Sequence, residues 1–194
     1  MEQFETRASL ILRLKDNQDG KSWEQFVKSY RPYICAVARG LGVLETDVDD
    51  IAQKVILKAW EKLPDFNYDR NIGRFKNWLA QITRNIVMTF QRSLQREHNK
   101  LQSLQENSDG LSDIEFEHLF EKQWKITIGE MAWENVKNRF SGEAIKCFEL
   151  LNEGMKNSEI ALKLNLKENT VAVYKKRIIS LLQKEIIQLE ASLS

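Results

Sequence analysis

Apolar residues recur along this chain every three or four positions, with charged and amide side chains between them, so that one helical face after another is offered for burial. Trp23, Phe26, Val27 and Tyr30, followed by Ile34, Val37, Ala38 and Leu41, keep that spacing, with Ser22 as N-cap and Gln25 as its capping-box partner. Pro32 falls inside this run and is expected to bend or split the helix, because it removes a donor and crowds the preceding turn. Val48, Ile51, Ala52, Val55, Ile56, Ala59, Trp60 and Leu63 form a second stripe. It opens on Glu45, Asp47, Asp49 and Asp50, which suit the positive end of a helix dipole, and it stops at Pro64. After a loop rich in Asn, Asp and Gly over 65–73, the residues Phe75, Trp78, Leu79, Ile82, Ile86, Val87 and Phe90 mark a third helix.

From Arg92 the chain turns polar up to Gly110, which reads as an interdomain linker. A weaker stripe, Phe116, Leu119, Phe120, Trp124 and Ile128, reads as a further helix continuing through Met131, Trp133, Val136 and Phe140. Ala144, Ile145, Phe148 and Leu151 predict another helix, closed by Gly154. β-type alternation is scarce and there are only two prolines. The expected fold is all-α: two small helical domains joined by a flexible acidic linker, divided as 1–95, 96–122 and 123–194.

Composition changes this picture little until charge is placed along the chain. Apolar residues at 42% and charged residues at 29% of 194 describe a chain that can bury cores, and a net charge of +1 favours no partner. The distribution does favour one. Arg70–Lys100 holds seven basic residues against one acidic, Glu97, whereas Gln105–Glu121 holds six acidic residues and no Lys or Arg. Two cationic ends around an acidic spacer suggest a protein that grips one polyanion, DNA, at two places.

Other chemistries find no support in the residues. Cys35 and Cys147 each sit in an apolar helical stretch, where they read as small hydrophobes, and His98 and His118 lie far apart. No nucleotide loop, metal cluster or activated nucleophile is visible, so neither catalysis nor a cofactor is expected. The stretch 1–14 mixes charges with its apolar residues and fits neither a signal peptide nor a membrane span, so a cytoplasmic location without membrane contact is expected.

The segment KNSEIALKLNLKENTVAVYKKRIISLL over 156–182 has the pattern of a helix-turn-helix. A first helix from Ser158 buries Ile160, Ala161 and Leu164; a turn over 165–167 holds Leu166 inward; a second helix buries Val171, Tyr174, Ile178 and Leu181. Ala161 is small enough for two backbones to cross closely. Major-groove reading by the second helix falls to Thr170, Ala172, Val173, Lys175, Lys176 and Arg177, with Lys163 and Lys167 on phosphates. The competing reading is a plain helical hairpin with a solvated lysine face. At the other end, FNYDRNIGRFKNWLAQITRNIVMTFQR combines a polar loop with aromatics and arginines, a chemistry suited to single-stranded DNA. Phe75, Trp78 and Phe90 share the apolar stripe and read as core. Asn67, Tyr68, Asp69, Arg70 and Asn71 have no such role and are the better base-contact candidates.

In this order the segments resemble an extracytoplasmic-function (ECF) sigma factor, the smallest sigma-70 type. DVDDIAQKVILKAWEKLPDF is similar to region 2.2 of that family, GRFKNWLAQITRNIVMTFQR to regions 2.3 and 2.4, YRPYI to region 2.1, and the helix-turn-helix to region 4. The resemblance covers about 22–96 and 134–189. It departs from the family at Lys54, where an acidic residue is usual, and at Thr89, near a commonly acidic position; region 4 is sparse in arginine.

The resemblance implies a factor that directs core RNA polymerase to promoters. Residues 1–95 then act as region 2, and 123–194 as region 4. The clamp helices of polymerase are met by Asp49, Asp50, Gln53, Lys54, Leu57, Lys58 and Trp60, and the flap by region 4. The −10 element is met by Asn67, Tyr68, Arg70, Asn71, Arg74, Lys76, Arg84, Asn85 and Arg92. The −35 element is met by Lys167, Thr170, Ala172, Val173, Lys175, Lys176 and Arg177. The family also implies an anti-sigma partner. Two rivals remain at this level: a helix-turn-helix regulator that binds duplex DNA without polymerase, and a helical adaptor that binds proteins only.

Overall fold

The structure, a computed structural model, describes residues 13–14, 20–66, 75–101 and 111–193. Among them are seven α-helices and no strand: α1 (Gly20–Gly40), α2 (Glu45–Lys62), α3 (Phe75–Leu101), α4 (Asp113–Val136), α5 (Gly142–Asn152), α6 (Asn157–Leu164) and α7 (Glu168–Leu193), with a 3₁₀ turn at Lys137–Arg139. The chain divides into two compact units, and the division falls inside α4, after Thr127.

In the first unit α1, α2 and α3 pack pairwise around one core. Phe26, Tyr33, Ile34, Val37 and Ala38 of α1 meet Val48, Ile51, Ala52, Val55 and Ala59 of α2 and Phe75, Leu79, Ala80 and Val87 of α3, all essentially inaccessible to solvent. The expected apolar stripes are therefore the buried faces. Aromatic rings thicken this core. Phe75 lies 5.3 Å from Tyr30, 5.1 Å from Trp78 and 5.5 Å from Phe66, centroid to centroid. Offset and edge-to-face ring pairs add to what area burial alone contributes.

Pro32 does not split α1, which runs unbroken through it. Pro32 is solvent-exposed, so water can satisfy the carbonyl it leaves unpaired, while Tyr30, Tyr33 and Ile34 on either side are held in the core. Ser22 is not an N-cap; it lies within α1 and is buried. The end of α1 is a Schellman closure, in which the Gly42 N–H donates to the Arg39 carbonyl (2.9 Å) and the Val43 N–H to the Ala38 carbonyl (3.2 Å). Gly42 takes φ 82°, a left-handed conformation that glycine adopts without a Cβ clash. A two-point pairing of Arg39 with Glu45, both bonds 2.7 Å, joins α1 to the start of α2 and lowers the Glu45 carboxyl pKa.

The acidic stretch expected as a linker is helical from Asp113 onward. Its buried apolar residues Phe116, Phe120, Trp124, Ile128, Ala132 and Val136 form a row four residues apart that winds slowly around the helix, and their burial overrides the polar composition around them. Ser112 and Glu115 cap the helix reciprocally: the Ser112 N–H donates to Glu115 (2.9 Å) and the Glu115 N–H to the Ser112 hydroxyl (3.3 Å). The remaining acidic linker residues Glu106 and Asp109 lie outside the described residues.

The second unit, Ile128–Ala191, is built around Cys147, Ile160, Ala161 and Val171, with Leu150, Leu151, Met155, Leu164, Leu166 and Tyr174 packed against them. Cys147 is thus a core residue, and burial raises its thiol pKa. As expected, Gly154 ends α5: it adopts φ 89°, with the Met155 N–H donating to the Leu150 carbonyl (3.1 Å).

Candidate nucleic-acid interface

Asn67, Tyr68, Arg70, Asn71 and Arg74 of the expected −10 set, with Asp69, lie outside the described residues. The four that are described behave in two ways. Asn85 and Arg92 are exposed on α3 and available to a partner. Lys76 is not: its side chain is 1% exposed, and its ammonium is ion-paired with Glu121 (2.9 Å) and stands 5.2 Å from the Trp124 ring centroid. Arg84 is nearly as withdrawn. It pairs with Asp113 (2.6 Å), donates to the Leu111 carbonyl (2.8 Å) and lies 4.7 Å over the Phe116 ring. In this arrangement α4, distant in sequence, covers Lys76, so it is not open to a partner as Asn85 and Arg92 are.

Trp78 packs at a tilt against Phe66 (4.6 Å) and Phe75 and is only partly exposed, in line with a core role. Phe90 is partly exposed and carries Lys54 at 5.8 Å from its ring centroid, a cation–π contact between α2 and α3.

On α2, Asp50, Gln53, Lys54 and Leu57 are all exposed and follow the i, i+3, i+4, i+7 spacing of one ridge. Leu57, the last of the four, is 57% exposed. Asp49 and Trp60 belong less clearly to that ridge. Asp49 pairs with Arg31 of α1 (2.9 Å), and Trp60 packs edge-on against Trp23 (4.6 Å). Lys58 pairs with Glu61 on the same helix.

The helix-turn-helix is formed by α6 and α7. Its turn is closed by Asn165 in the left-handed conformation (φ 53°, ψ 45°), with the Leu166 N–H donating to the Ala161 carbonyl (2.9 Å). The small Ala161 thus sits at the turn's closing hydrogen bond, and Leu166 faces the core. At the start of α6 the Lys156 N–H donates to Glu159 (2.8 Å).

Of the residues assigned to base edges and phosphates, Lys167, Val173, Lys175, Lys176 and Arg177 are exposed, and Thr170 and Ala172 are partly exposed. Val173, Lys176, Arg177, Ser180 and Leu181 line a shallow apolar depression along α7. Because Asn165 needs a left-handed backbone, Asn165→Gly should fold as well as the parent. Asn165→Val should cost the second unit about 1–2 kcal/mol in urea unfolding.

Sequence reasoning passed over Leu162, which is 86% exposed on α6. The signal was present: the α6 spacing that turns Ile160, Ala161 and Leu164 inward leaves residue 162 outward. It also passed over Asp113 and Glu121 as partners of Arg84 and Lys76, and no short-range pattern connects those positions.

Among the described residues no helix is long and apolar enough to cross a membrane. Residues 26–97 match the sigma-70 region 2 family, and residues 140–184 match bacterial regulatory proteins of the luxR family. The second match covers the helix-turn-helix. The chain is 35% identical over 80 residues to RNA polymerase sigma factor NccH of Alcaligenes xylosoxydans xylosoxydans, covering 41% of each chain. It is 37% identical over 62 residues to RNA polymerase sigma factor CnrH of Cupriavidus metallidurans, covering 32% of this chain and 31% of CnrH. The matches thus span less than half the length of these curated relatives. The solved structure of CnrH in complex with the cytosolic domain of CnrY aligns over 93% of this chain and 96% of that one, at 21% identity and a TM-score of 0.39.

Proposed function

Because the chain belongs to the sigma-70 family, as a member of its extracytoplasmic-function group, we propose that it directs core RNA polymerase to specific promoters and helps to open their −10 element. Under this reading the α1–α3 unit serves as region 2 and the α6–α7 helix-turn-helix as region 4, on the −35 element. The partners are core polymerase, through its clamp helices and flap, promoter DNA, and an inhibitory anti-sigma protein. Catalysis belongs to the polymerase, and this chain supplies selectivity. Drawing a base out of the stack costs a few kcal/mol, which residues 67–74 and cations such as Arg92 would offset.

The observation that carries this reading over a duplex-only regulator is the α2 ridge. A large apolar side chain, Leu57, stands exposed among the exposed polar residues Gln53, Lys54, Lys58 and Glu61, on a helix distinct from both basic segments. Such an anchor ringed by polar groups suits a protein contact and offers little to a phosphate backbone.

Promoter-directed transcription by bacterial core polymerase, run with a promoter library, is the test. The parent chain should confer start-site choice. Leu57→Asp should weaken its association with core roughly 30-fold, the effect of a hot spot of about 2 kcal/mol. Being exposed, that substitution should leave thermal unfolding unchanged. A chain that binds duplex sites tightly but never recruits core would turn the conclusion toward the free-standing regulator.

A further inference from the structure

Two cations of α3 are already occupied by carboxylates of the same chain, and the two pairs share one register. Arg84 and Lys76 stand as far apart on α3 as Asp113 and Glu121 do on α4, in the opposite direction, so the first half of α4 runs antiparallel to α3 with one acid opposite each base. Each cation also lies over an aromatic face of α4, Arg84 over Phe116 and Lys76 over Trp124.

Burial within the pairs is asymmetric. Lys76 and Arg84 have side-chain exposures of 1% and 14%, whereas Glu121 and Asp113 have 38% and 93%. The bases belong to the body of the unit and the acids to its outer cover. Moreover, the Trp124 indole N–H and the Tyr33 hydroxyl are buried with no protein hydrogen-bond partner, and their rings meet edge to face at 5.0 Å. The docked arrangement therefore leaves polar groups unsatisfied at its centre, which favours a contact that can open over a permanent core.

We propose that the first half of α4 is an internal substitute for a nucleic-acid backbone. It sits on a phosphate-binding face of α3 that contains Lys76 and Arg84, and it is displaced when single-stranded DNA takes that face. Two carboxylates hold the positions that two phosphates would hold, and their outward exposure lets an incoming strand compete for each cation in turn. Free chain thus binds single strands weakly, and contact with an opened promoter strand is gained only as α4 lifts. This inference rests on the reading of the first unit as the −10 module.

The test uses the full chain and a fluorescein-labelled oligothymidylate, followed by anisotropy across a potassium chloride series. Asp113→Asn/Glu121→Gln should bind on the order of tenfold tighter at low salt. Its plot of log affinity against log salt should be steeper by about 1.4, since each added single-strand phosphate contact contributes about 0.7. Asp113→Asn alone, at an exposed position that leaves the buried pair intact, should give about half that change in slope. Glu117→Gln/Glu130→Gln alters net charge equally without touching Lys76 or Arg84, and should leave the slope at the parent value.

Adding Lys76→Gln and Arg84→Gln to the first variant should abolish the gain. In the parent, amide exchange over 113–121 should quicken when the oligonucleotide is added. Equal slopes for parent and Asp113→Asn/Glu121→Gln, or an equal gain from Glu117→Gln/Glu130→Gln, would overturn the inference while leaving the promoter reading intact. A steeper slope combined with failure of the parent in core-directed transcription would sink the promoter reading and keep the masked face.

Discussion

Phe75→Ala should cost the first unit about 3–5 kcal/mol, enough to abolish most of the stability of a typical domain. Phe75 is fully buried, and its ring meets Phe26, Tyr30, Phe66 and Trp78 at centroid distances between 5.1 and 6.0 Å. Truncation removes a packing partner from all four rings and leaves a cavity that α1 and α3 cannot close without moving apart. Urea unfolding followed by tryptophan fluorescence should show an early transition, because Trp23, Trp60 and Trp78 all lie in this unit. If the midpoint hardly moves, the aromatic cluster is peripheral and the three-helix core as described is wrong. Phe75→Leu, which keeps much of the volume, should recover a large part of the loss.

The second large effect is expected at the other end of the chain. Lys175, Lys176 and Arg177 are all exposed on the second helix of the helix-turn-helix, whereas Val171 and Ile178 on the same helix are fully buried. Replacing the three cations with glutamine should leave the fold unchanged. On duplex DNA it should flatten the salt dependence by as much as roughly 2.7 and weaken binding on the order of 100-fold at physiological salt, if all three meet phosphates. Competition titrations at several salt concentrations measure both quantities. An unchanged slope would mean that this face is only solvated and the helix-turn-helix is a structural hairpin. A cation that instead reads guanine would show as relaxed preference at one base pair, with little change in slope.

Legibility followed the range of the signal at both ends of the chain. The helix-turn-helix could be read closely from sequence, because its buried positions, its turn and its small crossing residue lie within one short segment. The core faces of α1, α2 and α3 were legible for the same reason: their stripes are local. Errors arose where a local signal met a distant one. Pro32 signals a break, yet α1 runs through it because core packing on both sides holds the helix. Acidic composition carries the expected linker to residue 122, yet from Asp113 the apolar stripe of Phe116, Phe120 and Trp124, itself read as helical, makes a helix that takes the first unit on to Thr127.

Among the candidate contact residues the same division appears. Which residues are cationic, and which lie on helices, was settled by the sequence alone, since charge and helical period are properties of the chain itself. Which cations a partner can reach was decided only by the tertiary structure. Lys76 and Lys175 look alike in sequence, each a lysine beside an apolar stripe, but one is sealed beneath Glu121 and Trp124 and the other is open to solvent. The reason is physical: the availability of a charge depends on whatever packs across from it, and here that is a helix more than forty positions further along the chain.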